Sequence, residues 1–281
     1  MPMVRANGTA LYYDDSGGTG APVVFSHGML WDRTLFAPQI AVLKNRYRCI
    51  AYDHRGQGRS ADDTVNAISM ETVTDDAAAL IEKLGVGPVH FCGLSLGGIV
   101  GMRLAISRPD LVRSLILLDT TADPEPYRLK YMALCFVVRY FGLRFVHKAV
   151  MQALYGKTAL NDPARAEERQ TWEQQLSANR SSIWRAANGV VARKSIYGEL
   201  GKIAVPTLVA VGDEDVGTPI PMAERIAGAI AGAKLMVIPG AGHGSTLEQP
   251  ALVTAAISAF LDAQAEKAPE KASPSRNAAA A

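Results

Sequence analysis

Short runs of apolar residues alternate with longer segments of helical spacing through the first 118 residues, and the alternation resumes after residue 204. The runs carry almost no polar positions, which is typical of strands that are buried on both faces of a sheet. Such strands, when helical segments separate them, form a mostly parallel sheet. The pattern therefore predicts an α/β fold whose strands lie in PVVFSHG, RCIAYD, VHFCGLS, SLILLD, VPTLVAVGDED and KLMVIPG.

Helices are predicted between these strands, where apolar residues recur three and four positions apart. One of them carries Glu71, Asp75 and Asp76 near its start, where the helix dipole favours negative charge. The predicted helices cover residues 34–43, 72–84, 219–230 and 250–261.

The alternation stops after Asp119, where two prolines in DTTADPEP precede a long stretch without a strand pattern. We predict a helical insertion there, followed by the second part of the core and then a polar, proline-containing tail without fixed structure. The aromatic residues of the insertion are expected to pack it against the core or, alternatively, to line a substrate pocket; they are Phe136, Tyr140, Phe141, Phe145, Trp172 and Trp184. The resulting organisation is core 1–123, insertion 124–200, core 201–262 and tail 263–281.

Composition narrows the class of protein further. Hydrophobic residues make up 48% of the chain, and 29 Lys and Arg nearly balance 27 Asp and Glu, so the net charge of +2 indicates neither a nucleic-acid nor a membrane partner. Three cysteines without metal-type spacing favour a reducing compartment. The N-terminal sequence lacks an apolar stretch of signal-peptide length, and we expect a cytoplasmic enzyme.

The segment Gly93-Leu94-Ser95-Leu96-Gly97-Gly98 carries the strongest chemical signal. It matches G-x-S-x-G and lies between a predicted buried strand and a predicted helix, the context of a nucleophile elbow. Glycines are expected on either side of Ser95 because a Cβ there would collide with backbone. A serine nucleophile needs a histidine base oriented by a carboxylate.

His243 is the predicted base, since it follows a strand in the glycine-flanked loop IPGAGHGSTLEQP. Asp215 is the predicted acid, in the loop after the preceding strand, with Asp213 and Asp119 as alternatives. An oxyanion intermediate requires two backbone N–H donors. We assign these to Leu96, which follows the serine, and to Met29, in the loop after the first buried strand.

This series of motifs, FSHGM, YDHRGQGRS, GLSLGG, GDEDVGTP and IPGAGHGSTLEQP, resembles the α/β-hydrolase superfamily in type and order. The resemblance runs from Val23 to Leu261 and implies that the insertion is a cap. It is greatest to the branch of 3-oxoadipate enol-lactonases, carboxylesterases and cofactor-free haloperoxidases. Haloperoxidases of that branch carry Trp-Pro where this chain has Met29-Leu30, while Trp31 lies two positions later and is a candidate substrate contact.

The sequence thus predicts a serine hydrolase that cleaves a small, mostly apolar ester or lactone through an acyl-enzyme, without a metal or organic cofactor. Two alternatives stay open. One is perhydrolysis, in which hydrogen peroxide replaces water and the same three residues act. The other is a catalytically silent hydrolase fold that binds a small molecule.

Overall fold

A computed structural model describes residues 2–266. Its strands form one eight-stranded sheet in the order β1-β2-β4-β3-β5-β6-β7-β8. The strands are β1 Met3–Ala6, β2 Thr9–Asp15, β3 Pro22–Ser26, β4 Arg48–Tyr52, β5 Val89–Leu94, β6 Val112–Leu118, β7 Thr207–Gly212 and β8 Lys234–Ile238.

Strands β3 to β8 are parallel, and the register aligns their carboxyl ends at one edge of the sheet. Ser26 pairs with Gly93, Leu94 with Leu118 and Gly212 with Ile238. Loops that leave these ends therefore start close together, which is where ligand sites form in open α/β sheets.

The first two strands were not predicted from the sequence. They form an antiparallel hairpin in which Ala6 pairs with Thr9, and its turn residues Asn7 and Gly8 have φ of 46° and 72°. An Asn-Gly pair between two strands is a strong hairpin signal because both residues tolerate positive φ. Strand β2 then joins β4, also antiparallel, and extends the sheet at its edge.

Eleven α-helices accompany the sheet in the described part of the chain. They are α1 Ala37–Leu43, α2 Met70–Leu84, α3 Leu96–Ser107, α4 Arg128–Phe141, α5 His147–Leu154, α6 Lys157–Asn161, α7 Ala166–Ser177, α8 Trp184–Val191, α9 Ile220–Ala229, α10 Ser245–Glu248 and α11 Pro250–Ala265. Two large apolar clusters form the core: one includes residues of α2, α3 and α9, and the other residues of α1, α7 and α11. None of the helices in residues 2–266 is long and apolar enough to span a membrane.

Helix α11 continues to Ala265, so residues 263–265 of the expected tail are helical. The rest of that tail, from residue 267 onward, lies outside the described residues. Val253, Ile257 and Leu261 give this helix its buried face.

Helices α4 to α8 occupy the stretch between β6 and β7, in which no strand occurs. Trp172 and Trp184 are buried here, as expected of packing residues. The four other aromatic residues for which packing or pocket lining was expected are not: they are 57–61% exposed, and they line no cavity that contains Ser95. The expectation for them was wrong because α4 turns a different apolar face, with Cys135 and Val138, toward the protein. The exposed residues are Phe136, Tyr140, Phe141 and Phe145.

Candidate active site

Ser95 lies at the sharp turn between β5 and α3. Its φ of 52° and ψ of −112° are unusual for a residue with a side chain. Gly93 and Gly97 make the turn possible, since a Cβ on Gly93 would overlap the carbonyl of Gly97 and one on Gly97 would overlap the carbonyl of Ser26. The turn holds the Ser95 side chain above the sheet edge, in the geometry of a nucleophile elbow.

The backbone around this serine offers free donors. Leu96 is the first residue of α3, so its N–H has no acceptor within the helix. Met29 follows β3 and lines the same cavity as Ser95. No backbone carbonyl in residues 2–266 accepts a hydrogen bond from either amide. Both N–H groups are therefore available to a negatively charged oxygen bound beside the serine.

His243 and Asp215 complete a linear chain of hydrogen bonds with the serine. His243 Nε2 lies 2.8 Å from Ser95 Oγ, and His243 Nδ1 lies 2.8 Å from Asp215 Oδ2. The histidine and the aspartate are 7% and 4% exposed, so bulk water barely screens their interaction. The loops after β5, β7 and β8 thus bring together three residues that are 28 to 148 positions apart in the chain.

Electrostatics favour an ionised Asp215 beside a basic His243. Burial by itself would raise the pKa of Asp215, but the charge of His243 and hydrogen bonds from His243 and Thr218 lower it below its usual value. Burial would likewise lower the pKa of His243, but the charge and the hydrogen bond of Asp215, together with the charges of Asp119 and Glu248, raise that pKa above its usual value. This pairing prepares the imidazole to accept a proton from the serine.

Two residues hold the Asp215 carboxylate, and the sequence analysis missed both. The N–H groups of Gly217 and Thr218 donate to Oδ1 at 2.8 and 2.9 Å, and the Thr218 hydroxyl donates to Oδ2 at 2.7 Å. The sequence carries a local signal for these contacts, because aspartate side chains often accept hydrogen bonds from backbone N–H groups two and three residues later in a turn.

The alternative acids lie elsewhere. Asp119 is fully buried next to the site and accepts hydrogen bonds from Gly212 N–H at 2.9 Å and from the Ser245 hydroxyl at 2.5 Å, whereas the carboxylate that His243 Nδ1 meets is that of Asp215. Burial, together with the charge of Asp215, raises the pKa of Asp119 well above its usual value. Asp213 is exposed and accepts from Gly240 N–H at 2.8 Å. Each therefore stabilises a loop of the site.

Glu248 is another residue that sequence analysis did not single out. Its Oε1 accepts from Gly242 and Gly244, the neighbours of His243, at 3.0 and 3.2 Å. Its Oε2 accepts from Gly156, between α5 and α6, at 2.8 Å. This buried carboxylate connects the histidine loop to the helices inserted between β6 and β7.

The imidazole of His27 is hydrogen-bonded to backbone groups of two loops. The backbone N–H of His54 donates to His27 Nε2 at 3.0 Å, so Nδ1 carries the proton and donates to the carbonyl of Gly28 at 2.8 Å. His27 thereby connects the Met29 loop to the loop after β4. His90 is buried against the Ser114 hydroxyl, and His147 is exposed on α5.

A cavity of about 300 Å³ opens beside Ser95 and His243. Helices α4, α5 and α8 supply about half of the residues in its wall. The apolar residues of the wall include Leu134, Val138, Val150, Leu154, Ile183 and Val190. A charged pair, Arg193 and Glu125 at 3.1 Å, belongs to the same wall. The wall is therefore largely apolar, with a few polar groups.

Trp31, the candidate substrate contact, does not line this cavity. Its ring lies 6.2 Å from that of His243, and its indole N–H donates to the Tyr155 hydroxyl at 3.2 Å. Tyr155 in turn stacks on Trp172. Trp31 thus lies beside the imidazole of His243 and outside the cavity.

Comparison with known proteins identifies the family. Residues 23–256 match the model of the "Alpha/beta hydrolase family". The chain belongs to the α/β hydrolase family. A relative from Caulobacter sp. (strain K31), named "Putative carbamate hydrolase RutD", is 28% identical over 265 residues, which cover 91% of this chain and 97% of the relative.

Two solved structures are similar to almost the whole chain. A thermophilic esterase from Thermogutta terrifontis has a TM-score of 0.87 at 31% identity, and the match covers 94% of this chain and 99% of the esterase. The enol-lactonase from Burkholderia xenovorans LB400 also has a TM-score of 0.87, at 26% identity, and the match covers 93% of this chain and 100% of the lactonase. These likenesses confirm the α/β hydrolase fold predicted from the sequence.

Proposed function

We propose that this α/β hydrolase cleaves a small carboxylic ester or lactone through an acyl-enzyme. The observation that carries the proposal is the continuous chain from Asp215 through His243 to Ser95, which ends at a largely apolar cavity. The same three residue types act together in serine hydrolases of unrelated folds, where their geometry defines their roles.

In the acylation step, His243 Nε2 removes the proton of Ser95 Oγ while the oxygen attacks the substrate carbonyl. Asp215 stays ionised, holds the Nδ1–H tautomer and stabilises the imidazolium that forms. The N–H groups of Met29 and Leu96 bind the oxyanion. Collapse of the tetrahedral intermediate transfers the proton from His243 to the leaving alcohol, which leaves the acyl group on Ser95.

Water then attacks the acyl-enzyme with His243 again as base, and the acid is released from Ser95. For a lactone, the alcohol and the acid are the two ends of one product. No step requires a group beyond the chain's own residues and water.

The inserted helices, in this proposal, form a cap that selects the acyl group. The cavity wall from α4, α5 and α8 is mostly aliphatic, and burying a charge there without a partner would be costly. A volume of about 300 Å³ lies at the lower end of the range for small-molecule pockets. We therefore expect short to medium acyl chains to be the best substrates.

The test is hydrolysis of p-nitrophenyl esters from acetate to decanoate, and of simple lactones, by the wild type and by Ser95→Ala. Ser177→Ala, which changes an exposed serine of α7, is the matched control. We expect Ser95→Ala to lower kcat by roughly 10⁴-fold or more, and the control to leave it unchanged. A wild type that is inert on every substrate, or an active Ser95→Ala, would contradict the proposal; stabilisation by ligands without turnover would instead favour the silent binder.

Carbamate hydrolysis is a second candidate, supported by the name of the Caulobacter relative. A carbamate ester can react by the same two steps: its carbamoyl group is transferred to Ser95 as the alcohol leaves, and water then releases it. The two candidates therefore differ in the group that Ser95 carries and in the preferred leaving group. Carbamates in the substrate panel distinguish them by kcat/KM. Hydrogen peroxide in place of water as the acyl acceptor tests perhydrolysis, which stays a prediction.

A further inference from the structure

An exposed apolar face lies on the outer side of α4. We define the outer α4 face as Leu129, Met132, Phe136 and Tyr140, which are 82%, 47%, 59% and 60% exposed. Their spacing of three and four residues puts them on one side of the helix. Other residues of the same helix line the cavity beside Ser95, so α4 is apolar on two sides.

Two of these side chains lie against each other, since the rings of Phe136 and Tyr140 are 4.6 Å apart. The four side chains of the outer α4 face are about half exposed or more, which amounts to on the order of 500 Å² of surface. Contiguous apolar patches on soluble monomers rarely exceed a few hundred Å² unless they bind something.

The segment that carries the face has charge of one sign. Residues 126–145 contain four Lys and Arg and no Asp or Glu; the four are Arg128, Lys130, Arg139 and Arg144. The nearest preceding carboxylate, Glu125, is paired with Arg193. The net charge of +2 for the whole chain conceals this local excess, and for that reason the sequence analysis predicted no membrane partner.

We propose that the outer α4 face docks on the surface of a bilayer that contains anionic lipids. Apolar side chains would enter the acyl boundary, while the flanking Arg and Lys side chains reach the headgroups, the arrangement of an interfacial amphipathic helix. A second copy of the chain fits this face poorly, because two such faces would bring the eight cations of their segments together. Docking of this kind needs no spanning helix and does not depend on the proposed catalysis.

The test is flotation of the full chain with vesicles of phosphatidylcholine alone and of equal parts phosphatidylcholine and phosphatidylglycerol. We expect binding to the anionic vesicles only, and weaker binding at high salt. The variant Leu129→Gln/Phe136→Gln removes two apolar contacts and should lower the vesicle affinity about tenfold or more. The control Val42→Gln/Leu252→Gln changes exposed apolar residues of α1 and α11 and should bind like the wild type.

Thermal unfolding shows whether each variant is folded, and Ser95→Ala should bind vesicles normally, which separates docking from catalysis. The proposal is overturned if the wild type does not float with anionic vesicles, or if the Leu129 and Phe136 variant binds as well as the wild type. It is also overturned if light scattering shows a dimer that this variant converts to a monomer.

Discussion

The pH dependence of stability should reveal the charge state of Glu248. This carboxylate accepts hydrogen bonds from three backbone N–H groups, yet its residue is only 3% exposed. The two features oppose each other. Burial disfavours the charged form, whereas the N–H donors of Gly156, Gly242 and Gly244 favour it. Burial dominates and raises the pKa of Glu248 to about 7 from its ordinary value of 4.5.

The sign follows from linkage. A carboxyl whose pKa is raised on folding binds more protons in the folded state, so the stability that it contributes is lost as pH rises from the unfolded pKa to the folded one. With pKa values of 4.5 and about 7, the free energy of unfolding should fall by about 2 kcal/mol between pH 5.5 and pH 8 on account of Glu248 alone.

Glu248→Gln isolates this contribution. The glutamine is neutral at both pH values, and its carbonyl can still accept from Gly242 and Gly244, while its NH₂ group faces the N–H of Gly156 at a cost that does not change with pH. Urea denaturation at pH 5.5 and pH 8 measures the stability of both proteins. The difference between them should move by about 2 kcal/mol in favour of the variant at pH 8.

Glu224→Gln, which removes an exposed carboxylate of α9, controls for the general effect of one charge and should show no such pH-dependent difference. A constant difference between the wild type and Glu248→Gln would show that the carboxylate is ionised throughout, and that the three N–H groups outweigh burial. If the stability difference moved in favour of the wild type at pH 8, the argument would be refuted.

Three further predictions concern the site and its elbow. The kcat/KM of the wild type should rise with pH through a midpoint above 6.5, because Asp215 raises the pKa of His243. In Asp215→Asn the midpoint should move to lower pH, and kcat should fall by roughly 10²–10⁴-fold. A midpoint that does not move would contradict this role of Asp215. Gly97→Ala should lower the free energy of unfolding, measured by urea denaturation, by about 3 kcal/mol or more, because the new Cβ meets the backbone of β3. The control Gly228→Ala, on α9 with open space around it, should raise the free energy of unfolding by about 0.5–1 kcal/mol. Equal effects of the two variants would refute the steric argument. Thr218→Val should lose about 1–3 kcal/mol of stability and Thr218→Ser much less, since serine keeps the hydroxyl that donates to Asp215; a matching loss in both variants would assign the effect to packing.

Local pattern was sufficient for the six parallel strands and the elbow. Apolar runs such as PVVFS and SLILL are buried on both faces of the sheet. The glycines around Ser95 are required because a Cβ at either position would overlap backbone atoms. Neighbouring residues in the sequence therefore determine both features. The hairpin of β1 and β2 is equally local, since the Asn7-Gly8 pair that forms its turn is present in the sequence.

Only the tertiary structure decided which side chains meet. The order of Ser95, Asp215 and His243 indicated the three partners, but their 2.8 Å contacts depend on the sheet register that aligns the ends of β5, β7 and β8. Contacts with Glu248 and Asp119 join segments up to 126 positions apart and leave no periodic trace in the sequence.

The orientation of α4 was likewise beyond the sequence. Apolar residues occupy two sides of this helix, and spacing alone cannot show which side faces the cavity and which faces solvent. Packing against α8 resolves the choice, turning Cys135 and Val138 inward and leaving Leu129 and Phe136 exposed. Short-range patterns thus determined the elements and the nucleophile, whereas the cavity, the supporting carboxylates and the exposed face arose from contacts between distant segments.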